Sequence, residues 1–404
     1  MNLIQYIYAP IAVGLLFQLS ERMFGKNDLL LLGIFASQLM FAIVSGFTIK
    51  NLALLTIIFC IFYFIVTYSK MKNTNRDIYQ ISLLVLSLYL FVWFSCKYLP
   101  TFAGWMPIFD RLYGAVKHIF DPAYMIGVSY LGFKLIHFFI DCYDGKIKNS
   151  SFYDFLCWLF FSPCIVAGPI QRFQEWQQSR VEVTSVYDNV KEGTIRIVEG
   201  LFKKIVVADL IYSMSIASLG EKELLVIGIT PFVFSVFVYS IYIYMDFSGY
   251  SDIAIGISRF WGIKIPENFN YPYMKRDIQE FWGAWHMTLS RFLRDYIYFP
   301  LGGSRKGRLR TYLNFVIVFV LCGIWHGPTV GFVLWGALHG LALAATVFIR
   351  NNVNSNNVFQ IWWRQSKLGH GVAVIINFSI VSFFWIPFAL DNGRLIVLMK
   401  RLIS

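Results

Sequence analysis

The sequence predicts an all-α polytopic membrane protein. Of its 404 residues, 57% are hydrophobic and 19% aromatic. Charged residues make up only 14%, against roughly 25% in an ordinary soluble domain. The apolar residues also fall in runs that suit a bilayer core of about 30 Å, which takes about 20 residues of helix. Candidate spans are Leu3–Leu19, Leu29–Phe47, Leu52–Tyr68, Ile78–Phe94, Tyr124–Ile140, Val198–Ala217, Leu224–Met245, Thr311–Trp325, Val330–Phe348 and Val372–Phe388. Lipid offers no hydrogen-bond partner to the backbone. Each run is therefore helical, with irregular pieces only where protein covers them.

The chain reads as one integral domain, residues 1–404. Leu3–Leu19 has no basic leader and no small-residue cleavage site, so it is expected to be a retained helix. Residues 1–120 carry few polar groups inside their spans and are expected to form scaffold, with three basic residues in Lys70–Arg76. The chemistry-bearing core is 121–345. Within it, Phe152–Val166 is short and contains Pro163, which points to a re-entrant piece. Ser162–Arg172 continues with Gly168 and Pro169, an irregular backbone that must line a cavity or be covered. Met245–Asp252 places two carboxylates and two serine hydroxyls at the end of an apolar run. Asn351–Asn357 is a polar loop, and 371–390 forms a C-terminal helix.

Residues 281–296 project as a helix. Phe281, Trp282, Trp285, Leu289, Phe292, Leu293 and Tyr296 recur at helical spacing. With Glu280, Arg291, Arg294 and Asp295 on the other side, such a helix is expected to lie in the membrane interface, a depth that suits its tryptophans. His286 falls at the edge of the apolar stripe.

The net charge of +12 is unevenly spread. From Arg259 to Arg310 ten basic residues face four acidic ones, a local charge of +6. The positive-inside rule puts this segment in the cytoplasm. The same surface would suit an acidic cytosolic partner or an anionic cofactor. No nucleic-acid recognition fold is visible. The six cysteines form no CxxC pair, so neither a metal nor a disulfide framework is expected.

His326 is the leading candidate for chemistry. It stands between the apolar runs Phe315–Trp325 and Val330–Leu338, and an ionisable group at that depth is expensive and usually functional. Gly327 and Pro328 break the helix directly after it. A neutral imidazole there can accept a proton near pH 7; the structural alternative is a hydrogen bond to a carbonyl across helices. His286 alone would be an ordinary interfacial histidine. His339 reads as a structural residue at the end of a span, and His118, His137 and His370 as loop or interface residues. No HxxxH pair suggests a metal site. Asp246 and Asp252 could form a proton or cation relay, but caps and interhelical hydrogen bonds with Ser248, Tyr250 and Ser251 explain them more simply. No GxSxG elbow and no nucleotide-binding glycine loop is present.

The strings Gly127-Val-Ser-Tyr130, Ala167-Gly-Pro-Ile-Gln-Arg172, Gly200-Leu-Phe-Lys-Lys204, Met245–Asp252, Asn268-Phe-Asn-Tyr-Pro-Tyr273, Phe281–Tyr296 and Gly323-Ile-Trp-His-Gly327 together resemble the membrane-bound O-acyltransferase (MBOAT) family. The resemblance is to the bacterial branch that acetylates alginate and D-alanylates teichoic acid. It covers most of the chain and is densest over 127–340. It implies a ring of about ten or eleven transmembrane helices, with re-entrant or interfacial helices around a central funnel. It implies a multi-pass protein of the bacterial cytoplasmic (inner) membrane. His326 matches the family's intramembrane histidine and His286 its second functional histidine. No permanently bound cofactor is implied. The co-substrate would be an acyl thioester, on the phosphopantetheine of an acyl carrier protein or on coenzyme A. Partners would be the bilayer, the cytosolic donor and extracytoplasmic acyl-relay or polysaccharide-modifying proteins.

On this basis His326 is expected to act as general base on an acceptor hydroxyl, while His286 orients the thioester or polarises its carbonyl. Acetyl transfer to an extracytoplasmic polysaccharide or its export intermediate is the leading expectation. Tyr298–Gly303 and Trp335–Gly340 look like the polysaccharide O-acetylase side. D-alanyl transfer is close behind: Gly127–Leu131, and a chain stopping soon after Phe388, lean that way. A lipid or solute transporter would also use broken helices and intramembrane charge, but it predicts internal symmetry that the one-sided motif density does not show.

Overall fold

The computed structural model describes residues 76–102, 127–181 apart from 149 and 166, 185–352 and 366–403, with a few further positions before residue 115. The expected span Leu29–Phe47 and most of Leu3–Leu19 and Leu52–Tyr68 lie outside the described residues, as do most of Lys70–Arg76, His118 and most of the Asn351–Asn357 loop.

The longer described elements are all helices: α1 Arg76–Phe102, α2 Val128–Tyr143, α3 Phe152–Leu159, α4 Phe173–Val181, α5 Val186–Leu201, α6 Glu221–Val226, α7 Ile229–Arg259, α8 Ile278–Trp282, α9 Met287–Leu293, α10 Arg308–His326, α11 Val330–Asn352, α12 Lys367–Phe384 and α13 Asn392–Ile403. Among the described residues, four stretches are long and apolar enough to cross a membrane: Ile229–Arg259, Arg308–His326, Val330–Asn352 and Lys367–Ala389. The expected span Leu224–Met245 is split between α6 and α7, and α7 runs on to Arg259. Gly228 separates the two helices, and Pro231 falls in the first turn of α7, where its missing N–H costs nothing.

The residues group into two compact units. One is Met1–Glu199 with Tyr250–Pro266; the other is Gly200–Gly249 with Glu267–Ser404.

In the first unit, Ser151 caps α3 by accepting the N–H of Asp154 (3.0 Å). The helix gives way to a tight turn at Ser162–Cys164, where Pro163 stands, so the backbone is broken where the prolines predict it. Lys134 of α2 is buried and donates to the carbonyls of Trp158 (2.6 Å) and Leu159 (3.2 Å), two of the groups a helix end leaves unpaired. His137 is not a loop residue. It is buried in α2, with Nδ1 3.2 Å from the Asp141 carboxylate and Nε2 accepting the N–H of Phe173 (2.9 Å). Residues 167–172 are thereby tied to α2 at the start of α4. Where α5 passes α7, a Cβ on Gly256 would meet the Gly193 carbonyl at 2.6 Å. Arg196–Asp252 (2.7 Å) and Arg259–Glu192 (2.7 Å) close the contact. Asp252 is thus an ion-pair partner inside a helix, not a cap.

In the second unit, Asp246 pairs with Lys204, which likewise replaces the expected cap. Helices α10 and α11 lie antiparallel around the turn at Gly327–Thr329. Their close approach uses glycines on both sides. A Cβ on Gly340 would meet Val316 Cα at 2.7 Å, and one on Gly323 would fall on the Phe332 carbonyl. These are small-residue contacts of the type that lets spanning helices pack closely.

This unit has two distinguishable ends. At one, Arg350 near the end of α11 binds Asp277 (2.5 Å) and Gln279 (2.8 Å), and Phe348 of α11 meets Tyr312 (6.1 Å), in the turns of α10 that follow the basic residues Arg308 and Arg310. At the other, Asn392 at the start of α13 accepts the N–H of Val330 at the start of α11 (3.1 Å). Helix α13 is held there by arginines that cover exposed carbonyls: Arg394 on Ala217 (2.7 Å) and Leu219 (3.3 Å), Arg401 on Leu224 (2.7 Å) and Ile227.

Candidate active site

The second unit holds both histidines singled out in the sequence. The segment around His286 is not one interfacial helix. It turns at Gly283–His286 between α8 and α9, then continues as a wider helical turn at Arg294–Tyr298. Phe281, Trp282, Trp285 and Leu289 are all buried, so the apolar stripe is enclosed by protein on several sides. The segment also dips between the long helices. Trp282 packs edge-on against Phe319 (4.7 Å), eleven residues, or about 16 Å, along α10 from Arg308. Its indole N–H donates to His339 Nδ1 (3.2 Å).

Long-range contacts supply what breaks the helix. His286 has φ 41° and ψ 52°, a left-handed conformation uncommon outside glycine. The carbonyl of Asn268 accepts the N–H of Met287 (2.9 Å), and its side-chain Oδ1 accepts the N–H (3.4 Å) and hydroxyl (2.6 Å) of Thr288. Asn270 N–H reaches the carbonyl of Ala284 (2.9 Å). The first amides of α9, which have no intrahelical partner, are thus satisfied by Asn268, 19 and 20 residues upstream. No periodicity argument anticipates that.

His286 is buried, with 2% of its surface exposed. Its Nδ1 lies 3.3 Å from Asn268 Oδ1, and its ring stands edge-on to Phe247 (4.8 Å). It lies outside the four spanning helices. Burial disfavours the charged form and pushes its pKa down to about 3, so the ring is neutral. The unfolded imidazole titrates near 6.5. Between these values the unfolded chain binds the extra proton, and stability falls as pH drops from about 6.5 toward 3, by about 1.4 kcal/mol per unit for this one group. His286→Asn is expected to reduce that acid limb. Thermal midpoints in detergent at pH 7.5 and 5.5 check this; equal losses in variant and wild type would place the limb elsewhere.

His326 is the last residue of α10. The N–H of Gly327 makes a long bond to Gly323 (3.4 Å), and the chain then runs extended. The imidazole is half-buried and therefore not walled off by packing. Aromatic rings frame it: Trp325 (4.6 Å), Trp335 (5.2 Å, edge-on) and Phe388 (5.0 Å). No hydrogen bond or ring contact joins His326 to His286. Between them runs an aromatic wall: Phe269 against Trp285 (5.1 Å), Trp285 against Trp385 (5.1 Å), and Trp385 against Trp335 (5.7 Å).

His339 corrects a further expectation. It lies mid-helix in α11, fully enclosed, one turn after Trp335 on the face toward α8. Of the residues that build this centre, Asn268 and Trp335 were visible only as parts of motif strings, and Trp282 only as a member of an apolar stripe. A groove of about 550 Å³ between α11 and α12, lined by Ala345, Ile349, Ala373 and Ile380 among others, contains neither candidate histidine. Among the described residues no three His, Cys, Asp or Glu side chains converge as metal ligands would.

Comparison with known proteins matches residues 36–388 to the membrane-bound O-acyltransferase family, MBOAT. The probable alginate O-acetylase AlgI of Pseudomonas fluorescens is 33% identical over 285 residues, 69% of this chain and 53% of that protein. The peptidoglycan O-acetyltransferase of Helicobacter pylori is 36% identical over 246 residues, 60% of this chain and 45% of that one. A teichoic acid D-alanyltransferase of Streptococcus thermophilus is 32% identical over 230 residues, 54% and 55% respectively. The matches span about half the length of these curated relatives. With a family match over residues 36–388, the Trp-His-Gly string at the end of an apolar helix and the Trp-His-Met string at a buried turn, this chain belongs to the membrane-bound O-acyltransferase family.

Proposed function

We propose that this protein is a multi-pass O-acyltransferase of the bacterial inner membrane. It transfers a small acyl group, acetyl before D-alanyl, from a cytosolic thioester to a hydroxyl of an extracytoplasmic polysaccharide. The observation that carries the proposal is the placement of His326. It stands half-buried at the end of α10 away from the basic residues. Arg308 and His326 are 18 residues apart, about 27 Å of helix. If the basic end faces the cytosol, His326 sits toward the opposite side, where an extracytoplasmic hydroxyl arrives.

In the reaction the acceptor oxygen attacks the thioester carbonyl carbon as His326 takes its proton. The tetrahedral intermediate collapses, the carbon–sulfur bond breaks, and the thiolate recovers the proton from the imidazolium. Such base assistance is worth about 10²–10⁴-fold. His286, in the segment that dips between the long helices, orients the donor or polarises its carbonyl. The donor is an acyl carrier protein or coenzyme A, guided by the positive surface. The similarity to a D-alanyltransferase supports the second acyl group, which would use the same steps.

Proteoliposomes supplied with labelled acetyl or D-alanyl thioester on one side and polysaccharide on the other test the reading. One free thiol is expected per ester formed, with one of the two donors preferred. Movement of solute or lipid without thioester consumption would replace the enzyme by a transporter.

A further inference from the structure

We propose that Asn268 is a positioning residue that fixes the tautomer of His286, so that this imidazole presents a lone pair at Nε2 and receives a hydrogen-bond donor. The proposal rests on the acyl-transfer reading for the identity of what Nε2 meets, and deepens it by deciding which task His286 performs.

The neighbours of the Asn268 amide fix its orientation. The backbone N–H of Thr288 points at the Asn268 atom that also meets the Thr288 hydroxyl (3.4 and 2.6 Å). A backbone N–H only donates, so the atom facing it is the oxygen, which settles the amide orientation from the network. The same oxygen lies 3.3 Å from His286 Nδ1. An amide oxygen cannot donate, so attraction requires the proton to be on Nδ1. A neutral imidazole carries one ring proton. Nε2 is therefore the acceptor.

Two further observations point to a ligand at that atom. His286 Nε2 is buried and meets no hydrogen-bond partner among the described residues, a state that costs stability unless another group supplies the bond. His286 is also held in a left-handed backbone conformation, the kind of strain that clusters at functional sites. The Asn268 carbonyl and side chain both hold this one turn.

The opposite arrangement occurs one helix away, where the tryptophan N–H of Trp282 reaches His339 Nδ1 and puts that ring's proton on Nε2. The fold thus sets the two tautomers separately.

An acceptor at Nε2 cannot stabilise the oxyanion of a thioester under attack, which needs a donor. It can hold an amide N–H of a pantetheine arm or a hydroxyl of the acceptor. His286 is thereby an orienting group.

The test is ¹⁵N NMR of the whole protein in micelles, with ring-labelled histidine and the His286 signal assigned by its loss in His286→Asn. The wild type is expected to show His286 protonated at Nδ1. Asn268→Leu is expected to abolish that preference and lower kcat about 10²- to 10⁴-fold. Asn268→Asp keeps the acceptor and is expected to keep the tautomer and restore part of the rate. A rise in the KM of the thioester alone in His286→Asn assigns the Nε2 partner to the donor arm; a rise for the acceptor alone assigns it to the hydroxyl. Wild-type His286 protonated at Nε2 overturns the proposal even if Asn268→Leu fails to fold, as does an unchanged tautomer in a folded Asn268→Leu. The NMR result is independent of turnover, so failure of the acyl-transfer assays with the Nδ1–H form present counts against the enzyme reading alone.

Discussion

Replacing His326 by alanine is expected to lower acyl transfer by about 10²–10⁴-fold with little loss of folded protein. The side chain is half-buried, and the rings around it also pack on one another, Phe388 meeting both Phe332 and Trp335. Removing the imidazole therefore costs some ring packing but no glycine-mediated contact. Its place at the C-terminal end of α10 suits the chemistry. The partial negative charge of the last carbonyls favours the positive charge that develops as a proton arrives. His326→Gln keeps a polar side chain of similar reach but cannot take up a proton, and it is expected to fail as alanine does. If the role were only a hydrogen bond across helices, glutamine would restore most of the rate. Transfer of labelled acyl groups under single-turnover conditions separates the two, with the melting midpoint as the control for folding. Wild-type turnover in His326→Ala removes His326 from the mechanism.

The helix break at His326 was legible in the sequence because its signal is local. An imidazole, a glycine and a proline interrupt two apolar runs, and the helix ends within one residue of where those types predict. The α10 and α11 spans, expected as Thr311–Trp325 and Val330–Phe348, appear as Arg308–His326 and Val330–Asn352 for the same reason. Residues 281–296 were misread because every apolar position in a buried, broken segment still satisfies a helical projection. What ends the helix at Gly283–His286 is Asn268, 18 residues away, and hydrophobic spacing carries no trace of such a partner. Asp246 and Asp252 show the same limit. Their type announced a buried polar contact, but the partners Lys204 and Arg196 sit on another helix. His137 and His339 were misplaced, one as a loop or interface residue and the other at the end of a span, because enclosure, not spacing, distinguishes them.

The largest structural effect is expected from Gly336→Leu, which should abolish both stable folding and activity. Gly336 and Gly340 sit one turn apart on α11 and face α10. A Cβ at Gly336 would fall on the carbonyl oxygen of Phe319, with its carbon only 2.8 Å away. These are backbone atoms of a neighbouring helix, which cannot swing aside as the end of a side chain can. The two helices must separate, and with them Trp335 and His339, whose rings define the wall beside His326. Losses above 4 kcal/mol are rare for single substitutions and arise from disruption of this kind. Gly336→Ala already places a carbon in the forbidden position and is expected to show an intermediate melting midpoint. Gly371→Ala, whose Cβ would meet nothing within 4 Å, is the matched control and should melt as wild type or slightly higher, since alanine is the better helix former by about 1 kcal/mol. If Gly336→Leu melts and turns over like the control, the α10–α11 contact does not set the position of Trp335, and the placement of the half-buried histidine beside it loses its structural basis.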